Sequence, residues 1–349
     1  MDASTPPGRQ APAAGHSRPA RSVLHDADET LSDTQASVGA PPPPRNEATG
    51  GAPPVRLISR HLSRLLLDRT HRWAALVNGD RSAALVLQTI LSAATAHLPW
   101  RDPLTDAWIG IDAAIAQGRG VSTLSISQSL DLSYASTARR VDEIAEAGLL
   151  VKDHRGVRIA PAFFENGRID AATARDRDGL QMCMDMLAAA GHDPAPALRM
   201  GMLKRMPDTV IGRALLIYAL RVLESVKQLY GDAVMGMLIV TIIAANVDHL
   251  LADPELDRQY GDQDAPPPDQ LRRGITVRAL ARRADMPFET ARRRVNELLA
   301  HDMLENRPDG LIFPARALLR TAQMTDNERI AGHFHSLLAM LSDLAASAR

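Results

Sequence analysis

Arginine is the residue whose placement in this sequence points to chemistry. Residues 272–318 hold ten Arg against six Asp or Glu, a local balance of +4 in a 349-residue chain whose formal net charge is -1. A guanidinium fork can grip guanine in a major groove, and arginine, hydroxyl and amide groups bind phosphates. In the run Pro-Phe-Glu-Thr-Ala-Arg-Arg-Arg-Val-Asn-Glu-Leu-Leu at residues 287–299, a helical period collects Phe288, Ala291, Val295 and Leu298 on an inward side. Glu289, Thr290, Arg292, Arg293 and Asn296 are left for the outer surface. Arg278, Arg282 and Arg283 on the helical stretch before it, with Arg272 and Arg273 earlier still, add phosphate-binding charge.

Other reactive residue types are sparse. The single cysteine, Cys183, sits in an apolar helical setting without a basic neighbour and reads as core. One cysteine excludes a disulfide framework and a multi-cysteine zinc site, so a reducing cytoplasm is the expected compartment. His333 and His335 stand two apart and point different ways on a helix, which argues against a metal site. His97 and His249 end apolar helices, where capping or packing suits them. The methionines at 182, 184, 186, 200, 202 and 206 fill gaps in a helical core by default, with an adaptable ligand pocket as the alternative. The sequence has no Gly-rich phosphate loop, nucleophile elbow or carboxylate pair placed for acid-base work. The expectation is no enzyme, no catalytic residue, no metal and no cofactor.

The elements that would position the arginines follow from composition and period. Aromatic residues make up only 3% of the chain, and Ala, Leu and Arg are abundant, which suits helices over sheets. Residues 1–54 are Pro, Ala, Gly, Ser and charge, with prolines uninterrupted from 41 to 44, and are expected to be a disordered tail. With no apolar core after a basic start, they are not expected to be a secretory signal. Helices are expected over 55–77 and 82–98, followed by a linker at 100–105 and a short helix at 108–115. Ser122 caps a helix over 123–130, Ser133 starts the next, and short strands flank a turn at His154, Arg155 and Gly156. A further apolar helix spans 180–190. The order then recurs: helices over 209–229 and 233–250, an acidic loop at 253–269, helices over 276–284 and 287–301, a turn at 306–310 and a closing amphipathic helix over 326–346. The apolar run at 233–245 is too short to cross a membrane, so no membrane partner is expected.

The recurrence extends to individual residues. At a constant offset of 154, Gly120, Asp131, Arg139, Arg140, Val141, Glu143, Leu150 and Gly156 fall on Gly274, Asp285, Arg293, Arg294, Val295, Glu297, Leu304 and Gly310. At an offset of 152, Gly79 and Asp80 fall on Gly231 and Asp232. The expected fold is therefore mainly α with small β-wings, an internal duplication with one copy at 55–200 and the other at 201–349.

The Ala-Leu-Ala-Arg helix, Met-Pro turn, Glu-Thr-Ala-Arg-Arg-Arg-Val and Gly-bearing hairpin of the second copy resemble the winged helix-turn-helix domains of bacterial transcription regulators of MarR and GntR type. The two such domains would lie at about 118–164 and 272–318. Carried over by position, the resemblance implies that Thr290, Arg292, Arg293 and Asn296 read the major groove and that Arg307 on the wing touches backbone or minor groove. In the first copy, Ser133, Ser136, Thr137, Arg139 and Arg140 occupy the equivalent surface, with Arg155 and Arg158 on the wing. Ala138 replaces the first of the three arginines there, and residues 118–160 hold six Lys or Arg against five Asp or Glu, so weaker DNA binding or another task is expected. The implied partner is double-stranded DNA, with any small-molecule effector unknown. The chain would act as a pseudo-dimeric monomer or as a homodimer. A plasmid-type replication initiator and a winged-helix scaffold are the rival readings.

Overall fold

The structure, a computed structural model, describes residues 54–165 and 167–347. The tail expected over 1–54 lies outside the described residues except for Pro54. The chain is mainly helical, with two small antiparallel hairpins. In order it forms α1 (Val55–Ala74), α2 (Arg81–Thr95), α3 (Thr123–Leu130), α4 (Tyr134–Glu146), β1 (Leu150–Asp153), β2 (Gly156–Ile159), α5 (Arg168–Ala189) and α6 (Pro196–Arg199). It continues with α7 (Asp208–Tyr230), α8 (Ala233–Val247), α9 (Pro254–Gln259), α10 (Val277–Arg283), α11 (Phe288–Ala300), β3 (Glu305–Arg307), β4 (Gly310–Ile312), α12 (Ala315–Leu318) and α13 (Thr321–Ala346).

Helix starts follow side-chain chemistry. Asp80 accepts from the Ser82 and Ala83 amides at the head of α2, and Asp232 from the Met235 amide at the head of α8. Each satisfies backbone donors that the first turn leaves without partners. Ser122, Ser133 and Thr276 do the same for α3, α4 and α10. Gly231, at φ 90°, breaks the chain between α7 and α8, which meet at 96°. No single helix among the described residues is long and apolar enough to cross a membrane.

The four long helices α1, α5, α7 and α13 form the centre. α5 packs on both α1 and α7, and α13 packs on both α7 and α1. Leu62, Leu180, Leu215, Phe334 and Leu341 are fully buried between them, each contributing roughly 1.5–3 kcal/mol of transfer free energy. Cys183 belongs to this core, and burial pushes its thiol up to about 12, which keeps it protonated and unreactive. α2 and α8 lie between the centre and the two helix-hairpin units. Arg213 on α7 is buried against α2 and donates to the carbonyls of Thr95 at 2.8 Å and of Pro99 and Ile109 at 2.9 Å, while its guanidinium stacks on Trp100. This one side chain satisfies the carbonyls where α2 ends.

Two expectations about connections are corrected. The acidic loop at 253–269 contains α9, with Asp253 capping it and Pro254 in its first turn, a start signal legible in the sequence. Asp257 of α9 is buried against Arg60, at 2.6 Å, and His61 of α1. The short helix expected at 108–115 shrinks to a single 3-10 turn at Ile111–Ala114, because Trp108 instead pairs its backbone with Arg101 and stacks under that guanidinium.

Candidate nucleic-acid interface

In the second helix-hairpin unit, Thr276 caps α10 and Asp285 adopts a left-handed φ of 50° just after it. That conformation turns the chain, and the Met286 amide closes the turn on the Ala281 carbonyl at 3.0 Å. α11 then crosses α10 with Leu280, Ala291, Val295 and Leu298 buried between them and the hairpin. β3 and β4 pair from Glu305 with Ile312 to Arg307 with Gly310, and Ile275 and Leu311 exchange both backbone hydrogen bonds alongside. The polar side of α11 faces outward for this reason: Ala291, Val295 and Leu298 recur at helical spacing and are taken up by the unit's own small core.

Phe288 departs from the expected inward set. At the first turn of α11 its ring is 44% exposed, beside an open cleft that Arg278, Arg282, Asp285 and Met286 also line. A first-turn side chain has no preceding turn to pack against, and α10 ends too early to cover it.

The arginines divide by what holds them. Arg278, Arg282 and Arg293 are exposed and have no ion-pair or side-chain hydrogen-bond partner among the described residues. Arg278 and Arg282 stand four apart, on one face of α10. Asn296 is exposed and Thr290 half-buried on α11. Arg292 is exposed but held by Glu289 at 2.7 Å. Arg307 turns back to the body: its Nη1 donates to the Asp269 carbonyl at 2.7 Å and its Nε to Glu305 at 3.1 Å. Arg272 is buried, Arg283 pairs with Asp248, and Arg294 lies 2.8 Å from Asp232. Arg278, Arg282, Arg293 and Asn296 are thus exposed on this unit with Thr290 half-buried, whereas Arg307 is committed to Glu305 and Asp269.

The first unit has the same build and a different balance. Ser133 caps α4 by accepting from the Ser136 amide, and Ser136 is half-buried. Arg139 pairs with Glu143 at 2.7 Å, Lys152 with Asp142 and Arg158 with Asp153. Arg158, by its side chain, and Arg155, by its amide, lower the Asp153 carboxyl from its ordinary value. Arg140 donates to the Ser136 carbonyl at 3.1 Å and stands 3.5 Å from Asp80. Of the residues expected to bind DNA there, only Arg155 presents an exposed cation without a partner among the described residues. Arg119 joins it from outside that set.

Sequence reasoning missed the anchoring residues. Asn246 of α8 is buried, donates to the Arg273 carbonyl at 2.7 Å and the Leu311 carbonyl at 3.1 Å, and accepts from the Phe313 amide at 2.8 Å, so it clamps the second hairpin to the core. No family model matches this chain, and neither the curated proteins nor the solved structures include a detectable relative.

Proposed function

We propose that this protein is a regulator that binds double-stranded DNA, with its second helix-hairpin unit, a winged helix-turn-helix, as the principal reader. The observation that carries this reading is the trio Arg278, Arg282 and Arg293, exposed and unneutralised on α10 and α11 in a chain of net charge -1. Elsewhere on both units most cations have an intramolecular acid beside them. Three free guanidiniums leave charge for phosphates, which supply most of the affinity of such contacts. Asn296 and Thr290 add groups able to reach base edges.

The reading includes an internal duplication. Its support is geometric correspondence at the offsets seen in the sequence. Asp131 and Asp285 are both left-handed, as are Gly148 and Asp302, and Gly156 and Gly310. Val121 pairs with Val157 as Ile275 pairs with Leu311. Arg140 faces Asp80 as Arg294 faces Asp232. The packing of α5 on α1 and α7 is mirrored by that of α13 on α7 and α1. Each half also reaches across: Arg81 donates to the Arg283 carbonyl and Lys227, at 3.1 Å, to the Ser129 carbonyl, two positions that correspond at the offset of 154. One chain would then act as a pseudo-dimer, presenting two unequal readers to half-sites about one helical turn, roughly 34 Å, apart.

The test is titration of a duplex, selected by the protein from genomic fragments, with the wild type and with an Arg278→Ala, Arg282→Ala, Arg293→Ala triple variant. Affinity should fall by at least about 100-fold at low salt. Equal affinity of the two proteins would remove the assignment.

A further inference from the structure

A cavity opens in the helical centre between α1, α7, α8 and α13. A second, more open space lies beside it between α1, α2, α7 and α8. Ser63, Val226, Val240 and Ile330 line both, so the two adjoin. The second space is walled by Leu66, Leu67, Leu220, Leu223 and Met237, each half-buried, and offers few polar groups.

The first cavity holds two buried groups of opposite charge with unmet hydrogen-bonding capacity. The Asp326 side chain on α13 is 4% exposed, and its Oδ1 has no hydrogen-bond partner among the described residues. The nearest cation is Arg329, half-exposed and 3.8 Å away. Facing the same cavity, Arg272 donates through Nη2 to the Pro267 carbonyl at 2.9 Å and has Nε 3.2 Å from Asp269, while its buried Nη1 is unused. The other two arginines of the wall are already engaged: Arg60 by Asp257 and the Tyr260 carbonyl, Arg56 by the carbonyls of Asp262 and Gln263. A buried carboxylate and a buried guanidinium nitrogen left without partners are costly, and that cost is recovered when a ligand satisfies both.

We propose that this cavity binds a small zwitterionic amphiphile of the α-amino-acid type. Its ammonium meets the Asp326 carboxylate, its carboxylate meets Arg272, and its apolar body runs past Val226, Val240 and Ile330 toward the second space. A simple fatty acid leaves Asp326 unpartnered, and a simple amine leaves Arg272 so. At the duplicate positions of the first half the chemistry differs: where the second half has Ser225, Val240 and Ile330, the first has Trp73, Gln88 and Asp176, with Arg69 stacked on Trp73 and bonded to both others. That comparison rests on the duplication; the site itself does not, nor does it rest on DNA binding.

The test uses the full chain and three probes sharing one apolar body: 2-aminodecanoic acid, decanoic acid and decylamine, each titrated calorimetrically below its aggregation concentration. The amino acid should bind one per chain, at least about tenfold tighter than either single-charge analogue. Asp326→Asn, which keeps shape and removes a buried charge, should weaken the amino acid by at least about tenfold and leave decanoic acid unchanged. Val240→Phe, checked for its fold by circular dichroism, should weaken all three probes. Equal binding of the three, tightest binding by decylamine or decanoic acid, no binding at all, or an Asp326→Asn variant that binds like the wild type would each overturn the proposal.

Discussion

Arg294 of α11 and Asp232, which caps α8, meet at 2.8 Å, and Arg140 of α4 stands in the same relation to Asp80, which caps α2. A residue of each outward-looking helix is therefore a bolt to the core. Arg294→Ala should cost about 1–2 kcal/mol of stability, because both partners are largely shielded from water. Arg140→Ala, with its looser pair, should cost less, about 0.5–1 kcal/mol. Denaturant titration measures both. Under conditions where the proteins are folded, DNA affinity should change by less than about threefold; a large loss of affinity without loss of stability would make Arg294 a reader instead.

Asn246 offers a second check on how the second unit is held. Removing its side chain takes the partner from the Phe313 amide and from the Arg273 carbonyl, while the Leu311 carbonyl keeps the Ile275 amide. Asn246→Ala should lower stability by about 2–4 kcal/mol and speed hydrogen exchange at Phe313 far more than at residues of β1 and β2. Ala94 of α2 stands 152 residues before Asn246, and among the described residues no α2 side chain bonds the backbone of the first hairpin. Uniform exchange across both hairpins in the variant would count against a local role.

Asp326 makes stability depend on pH. Burial pushes its carboxyl up to about 6, partly opposed by Arg329. The folded chain then binds this proton more tightly than the unfolded one, whose carboxyl titrates near 4, about 3.9. The stabilisation is present in full below about pH 4 and is lost as pH rises through about 6. Asp326→Asn should consequently raise stability by about 1–3 kcal/mol at pH 8 and make little difference at pH 4. Parallel stability curves for wild type and variant across this range would refute the assignment.

Much of the scaffold was legible because it is local. Apolar period gave α7, α8, α10 and α11 to within a few residues, and Ser122, Ser133 and Thr276 marked starts that the structure keeps. The function of an individual arginine was not local. Arg292, Arg293 and Arg294 are consecutive, yet one pairs with Glu289 on its own helix, one is free and one reaches Asp232, 62 residues earlier in the chain. No spacing rule distinguishes them, because partner choice depends on which helix lies underneath. Phe288 failed for a related reason: the helical period placed it inward, but the neighbour that would have buried it stops short.

The salt dependence of duplex binding tests the central claim most directly. Each phosphate neutralised contributes about 0.9 to the slope of log affinity against log salt concentration. Replacing Arg278, Arg282 and Arg293 together by alanine should therefore reduce that slope by roughly 2.7, whereas replacing Arg139 and Arg140 should reduce it by less than about 1. A slope unchanged by the triple substitution, or one governed by Arg139 and Arg140, would contradict DNA reading by the second unit.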